Sequence, residues 1–160
     1  LPRHLLRDPV GDLSYPSDGG RDGCRTPMPW TEGAQMGFTD GEPWLPLAAE
    51  HRGLSVEVQG ADPDSALSFS REMIALRKAT PALSVGDIEF LGTAEPLVAF
   101  VRRHAAGDVL CIFNFSSEPQ VFAHPSLAEA EFLPVRAGDA DLRGESVGLS
   151  PYAACFLRRV

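Results

Sequence analysis

The spacing of apolar residues changes character twice along the chain. From residue 1 to about residue 60 it follows neither the helical nor the strand period, and Gly, Pro, Asp and Ser crowd the segment. A compact domain seldom leaves so long a stretch without regular elements, so the segment is either functional or disordered. The words "TPMPW" and "GEPWLPL" favour order, because Trp30, Phe38 and Trp44 carry large apolar surfaces and call for something to pack against them.

Helical spacing begins next and predicts a helix over 62–79. Asp62 is placed to cap it and Pro63 suits its first turn. Ala66, Phe69, Met73 and Leu76 fall on one face, with Leu67 and Ile74 widening the stripe, a pattern of core packing. Arg77 and Lys78 suit its C-terminal end, and Pro81 limits continuation. After residue 82 short β-like runs follow: "DIEFL", "LVAFVRR", "VLCIFNF", "PQVFA", "AEFLPV" and "YAACFLRRV". "HAAGD" joins the second and third as a hairpin loop, with Gly107 available for a positive φ. Consecutive apolar positions suit a sheet covered on both faces. The expectation is a small antiparallel β-sandwich over 82–160.

Composition narrows the function classes. Twenty-two acidic against 14 basic side chains give a formal charge of −8, which disfavours nucleic acid and anionic membrane partners by repulsion. No apolar run approaches the roughly 20 residues that span a bilayer, and "LPRHLLRDPV" is too broken by charge and proline for a signal peptide. Cys24, Cys111 and Cys155 are an odd set without CxxC spacing, so neither a disulfide framework nor a zinc knuckle is expected, and a reducing, cytoplasmic setting is. Cys24 as a nucleophile lacks a histidine partner, and Cys111 and Cys155 sit in apolar runs that read as core. His4, His104 and His124 show no metal-ligand spacing, and His51 in "EHRG" reads as a surface residue more than a substrate contact. No metal or cofactor is expected. A lone helix and a long loop cannot enclose their own core, so the first half reads as a piece of something larger, as does a chain that opens on Leu1.

The ordered words "GRDGCRTPMPW", "GFT" at 37–39, "PWLP" at 43–46, "MIALRKATPAL" and "FNFS" together resemble the C-terminal part of the α-glucosidase branch of the α-amylase family of glycoside hydrolases. The resemblance covers nearly the whole chain. It implies an α+β fragment: residues 1–81 as the last strand-to-helix loop and helix of a (β/α)8 barrel, and residues 82–160 as a C-terminal antiparallel β domain. Barrel sites lie where the strand-to-helix loops converge, so "GGRDGCRTPMPW" becomes one wall of a substrate pocket. By resemblance Arg25, of "RTPM", holds an oligosaccharide's sugar beside the cleaved bond, with a planar fork that lysine does not reproduce. Arg21 and Asp22 are read as pairing with each other to brace the loop. The family's retaining reaction needs catalytic carboxylates on earlier barrel strands, so no catalytic residue is assigned within this chain, and its partner is the missing barrel portion. Thr31 stands where family members commonly carry aspartate after the "PMPW" tryptophan. The alternative is a non-catalytic β-sandwich module for carbohydrate binding or assembly. Such modules display aromatics spaced to stack on sugar rings, whereas both tryptophans here lie in the loop.

Overall fold

A computed structural model describes residues 1–135 and 137–159, with the backbone alone at Arg159. By internal contacts the chain forms two compact units, Leu1–Ser70 and Arg71–Val160.

The first unit is built from single 3-10 turns and two short α-helices. Asp8 opens α1 (Pro9–Ser14) by accepting the Val10 N–H at 3.2 Å, and Pro9 occupies the first turn, where no donor is needed. Ser55 opens α2 (Val56–Ala61) in the same way, accepting from Val58 N–H. Six residues are too few to display a period, so neither helix shows in the apolar spacing. Between them Gln35 and Met36 take left-handed φ values of 48° and 51°. The Met36 carbonyl there accepts both the Trp30 and Thr31 N–H groups, and its side chain is buried, as is Leu45. This core is too small for the expected burial of the aromatics. Trp30, Phe38 and Trp44 remain 47%, 46% and 55% exposed.

Helix α3 (Ala66–Ala79) starts at Ala66 rather than at 62. Asp62 ends α2 and its carboxylate accepts the Asp64 N–H at 2.9 Å, while the Ser65 hydroxyl accepts the Ser68 N–H at 3.1 Å and caps α3. Only part of the predicted stripe is covered: Met73 and Leu76 pack against the second unit's core, whereas Phe69 and Ile74 stay exposed. Pro81 stops α3 as expected but also starts a short α4 (Pro81–Val85), because proline fits a first turn.

Eight strands follow: β1 (Asp87–Leu91), β2 (Leu97–Arg103), β3 (Val109–Asn114), β4 (Gln120–Ala123), β5 (Ala130–Phe132), β6 (Ala140–Arg143), β7 (Ser146–Leu149) and β8 (Ala154–Arg159). They form two antiparallel sheets, ordered β1-β2-β3-β8-β5 and β4-β7-β6. Arg102 pairs with Val109 across the predicted β2–β3 hairpin, and Gly107 has the positive φ, 123°. Alternate residues of β3 serve different cores. Leu110 and Ile112 meet Phe122, Val147 and Leu149 of the smaller sheet, whereas Val109 and Cys111 join Ala82, Leu83 and Phe156. Burial on both faces explains the consecutive apolar residues Val109 to Phe113 of this strand. Val160, the end of the last predicted strand, lies outside the described residues. Among those described, no helix is long and apolar enough to cross a membrane.

Candidate functional site

The chemistry-bearing loop is in the first unit, where the 3-10 turn Asp22–Cys24 comes back against the start of α1. Two glycines permit this approach. A Cβ on Gly11 would lie 2.4 Å from the Gly19 carbonyl oxygen, and one on Gly20, where φ is +64°, would lie 2.8 Å from Gly11 N and 2.9 Å from Asp8 Oδ2.

Four charges meet at the junction. Asp8 and Asp22 are both buried, at 1% and 0% exposure. Asp8 Oδ2 accepts the Arg21 main-chain N–H at 2.9 Å and Nε–H at 2.8 Å, and its Oδ1 accepts from Arg21 Nη2 at 3.1 Å. Asp22 Oδ2 accepts the N–H groups of Arg7 and Asp8 at 2.6 and 2.8 Å, and its Oδ1 accepts from Arg25 Nη2 at 2.6 Å. Arg25 Nη2 also stands 3.5 Å from Asp8 Oδ2. The predicted Arg21–Asp22 pair is therefore not formed. Asp22 turns inward beneath the main-chain donors of residues 7 and 8, while the Arg21 side chain stays 69% exposed and reaches Asp8 instead.

Both carboxyls titrate below their ordinary value of 3.8. For Asp8 the Arg21 guanidinium is the largest cause, followed by the Arg21 main-chain N–H, and together they outweigh burial. For Asp22 burial pushes upward, and the N–H groups of Arg7 and Asp8 with the Arg25 guanidinium overcome it. A carboxyl lowered in the folded state contributes stability that is fully present above its unfolded value and lost as pH falls through the folded one. The first unit is thus expected to hold its tertiary structure from neutral pH down to about pH 5 and to lose it progressively below about pH 4. Both tryptophans lie in this unit, so their fluorescence reports it. A transition centred above about pH 5 contradicts the assignment.

Arg25 differs from Arg21 in its surroundings. Its guanidinium carbon stands 5.4 Å from the Trp44 ring centroid, a cation–π distance, and its Nε is buried without an acceptor among the described residues. Trp44 also lines a cleft of about 340 Å³ with Leu5, Arg7, Gln35 and Glu42. Sequence spacing did not point to Asp8 or Trp44 as members of this cluster. The signal for Asp8 was present in "RDP", an aspartate directly before a proline, which marks a helix start. Cys24 is exposed and its thiol donates to the Arg21 carbonyl at 3.0 Å. Cys111 and Cys155 are buried, and that burial pushes both thiols up to about 12. His51 lies apart from the charge cluster in sequence, in the 3-10 turn Ala49–Leu54. Among the described residues no group of three or more His, Cys, Asp or Glu is arranged to hold a metal ion.

The model of the α-amylase catalytic domain matches residues 11–86, a span that holds Arg21, Asp22, Arg25 and Trp44. Over 96% of its length the chain is 39% identical to a probable alpha-glucosidase of Rhizobium meliloti. The chain belongs to the α-amylase family. This α-amylase-family chain is also 37% identical, over 82% of its length, to a probable oligo-1,6-glucosidase 2 of Bacillus subtilis. It spans 28% and 24% of the lengths of these two relatives. Among solved structures it is similar to the α-glucosyl transfer enzyme XgtA, with a TM-score of 0.87 and 42% identity, covering 98% of this chain and 29% of that one. The catalytic-domain match ends one residue before β1, so the eight strands of this α-amylase-family chain lie beyond it.

Proposed function

We propose that this chain is the C-terminal part of a cytoplasmic α-glucosidase that removes terminal α-linked glucose from short oligosaccharides, and that Arg25 binds the sugar beside the cleaved bond. The observation that carries the reading is the state of Arg25. One amino group, Nη2, is held by Asp22 and the guanidinium lies by Trp44, while the other, Nη1, has no acceptor among the described residues and the side chain is 34% exposed, so the fork keeps donor capacity for oxygens of another molecule. Arg21 and Asp8 brace the loop behind it. The reaction is the retaining one, with the nucleophile and the acid on barrel strands that precede residue 1. Residues 1–81 then complete a (β/α)8 barrel, and 82–160 form a β-sandwich after it. The end of the catalytic-domain match at residue 86 supports that division.

The test uses the full-length enzyme, or a chimera in which this chain replaces the equivalent part of the Rhizobium meliloti relative. Arg25→Lys should lower kcat/KM for p-nitrophenyl α-glucoside about ten- to a hundredfold at unchanged melting, as loss of one hydrogen bond from a charged donor predicts. Arg21→Lys should be milder in catalysis. Unchanged kinetics with normal melting would remove Arg25 from the site, and equal destabilisation by both changes would reduce it to a brace. Product analysis of the parent enzyme separates hydrolysis from glucosyl transfer.

A further inference from the structure

We infer that Asp22 is a positioning residue, whose carboxylate aims the Arg25 guanidinium at the sugar; the inference rests on the reading of Arg25 above. The two oxygens of Asp22 divide the task. Oδ2 is fixed by two main-chain donors, the N–H groups of Arg7 and Asp8, so the carboxylate plane is set by backbone rather than by a mobile side chain. Oδ1 faces Arg25 and takes its Nη2 at 2.6 Å. With the side chain at 0% exposure, no solvent competes for either oxygen.

Asp8 does not duplicate this role. Its Oδ2 already receives two donors from Arg21 and stands 3.5 Å from Arg25 Nη2, beyond a good hydrogen bond. Trp44 supplies the remaining restraint from the ring side, at 5.4 Å. A planar cation held at one edge and one face has its free edge directed, and such preorganisation is what a transition-state contact requires.

A double-mutant cycle in the full-length enzyme, or in the same chimera, separates positioning from bracing. In Asp22→Asn a single carbonyl oxygen cannot serve both the main-chain donors and Arg25. With that oxygen on the backbone, the amide NH2 meets the guanidinium donor to donor. Asp22→Asn alone should lower kcat/KM about tenfold or more, mostly in kcat, as loss of a charge-assisted hydrogen bond that aims a transition-state contact predicts. In an Arg25→Ala background the same change should alter kcat/KM by less than about twofold, because the group it acts through is gone. A second readout leaves Asp22 intact and covers failure of the amide variant to fold. Millimolar guanidinium should restore part of the activity of Arg25→Ala, and methylammonium, of equal charge but without the fork, should not.

Equal losses from Asp22→Asn in both backgrounds would overturn the inference and leave Asp22 as a brace. So would the absence of guanidinium rescue if the amide variant does not fold. An Arg25→Ala enzyme with unchanged kinetics fails differently, by removing Arg25 itself from the site.

Discussion

On the proposed reading, the isolated 160-residue chain is expected to release no measurable p-nitrophenol from p-nitrophenyl α-glucoside in an assay run beside the full-length protein, which is expected to release it. The reason is the state of its carboxylates. A retaining glycosidase needs two of them with different protonation, one ionised to attack and one kept protonated to donate to the leaving oxygen. Asp8 and Asp22 are both held below the ordinary range, so neither keeps the proton that an acid must donate, and both are buried and tied to arginine, so neither is free to attack. Glu89 and Asp108 are likewise lowered by Arg103, and Glu131 is paired with Arg158. An arginine that only positions a sugar supplies neither an attacking group nor a proton donor, and loss of a whole reacting set, as in a serine protease triad, costs on the order of 10⁶-fold in rate. Turnover that follows this polypeptide through purification and disappears in Arg25→Ala would refute the proposed assignment of the catalytic groups to a preceding barrel.

Asn114→Asp should be among the most damaging single changes for the second unit, at about 3–5 kcal/mol. Asn114 ends β3 at 2% exposure and uses its whole amide. Nδ2 donates to the Glu118 and Ser150 carbonyls at 2.8 and 2.9 Å, while Oδ1 accepts the Ser116 N–H at 3.0 Å and hydroxyl at 2.8 Å. An aspartate keeps the acceptor but turns a charged oxygen toward two carbonyl oxygens, and no cation is among these partners. Denaturant unfolding followed by circular dichroism at neutral pH measures the loss, and acidification that protonates the new carboxyl should recover part of it. A change below about 1 kcal/mol would show that the amide network does not hold β3 to the turn beside it.

Legibility in the sequence followed element length and separation along the chain. The β2–β3 hairpin could be read because both strands are long and Gly107 marks the turn. Helix α3 could be read because 14 residues display a period, although its start was misplaced by the competing capping signals at Asp62 and Ser65. The β6–β7 hairpin escaped notice. Its four-residue strands are too short for alternation to stand out, and the turn rests on Gly144, with φ 57°. In the site the words around Arg25 were legible and the pairing was not. Adjacency suggested that Arg21 meets Asp22, whereas neighbouring side chains diverge and the true partner, Asp8, is thirteen residues away. No periodicity encodes a contact of that kind.

Two arginines and two carboxylates can be matched in two ways, and by charge alone the swapped arrangement is nearly degenerate with the observed one. The main chain lifts that degeneracy. Arg21 reaches Asp8 Oδ2 with its own backbone N–H as well as its side chain, and Asp22 Oδ2 is occupied by the backbone of residues 7 and 8. Exchange of partners is consequently a backbone rearrangement rather than a rotamer hop, and it leaves the picosecond-to-nanosecond regime of free side chains for the slower one of loop motion. During folding the same feature removes a competing minimum from the landscape: once the turn has closed on α1, each arginine has only one place to go.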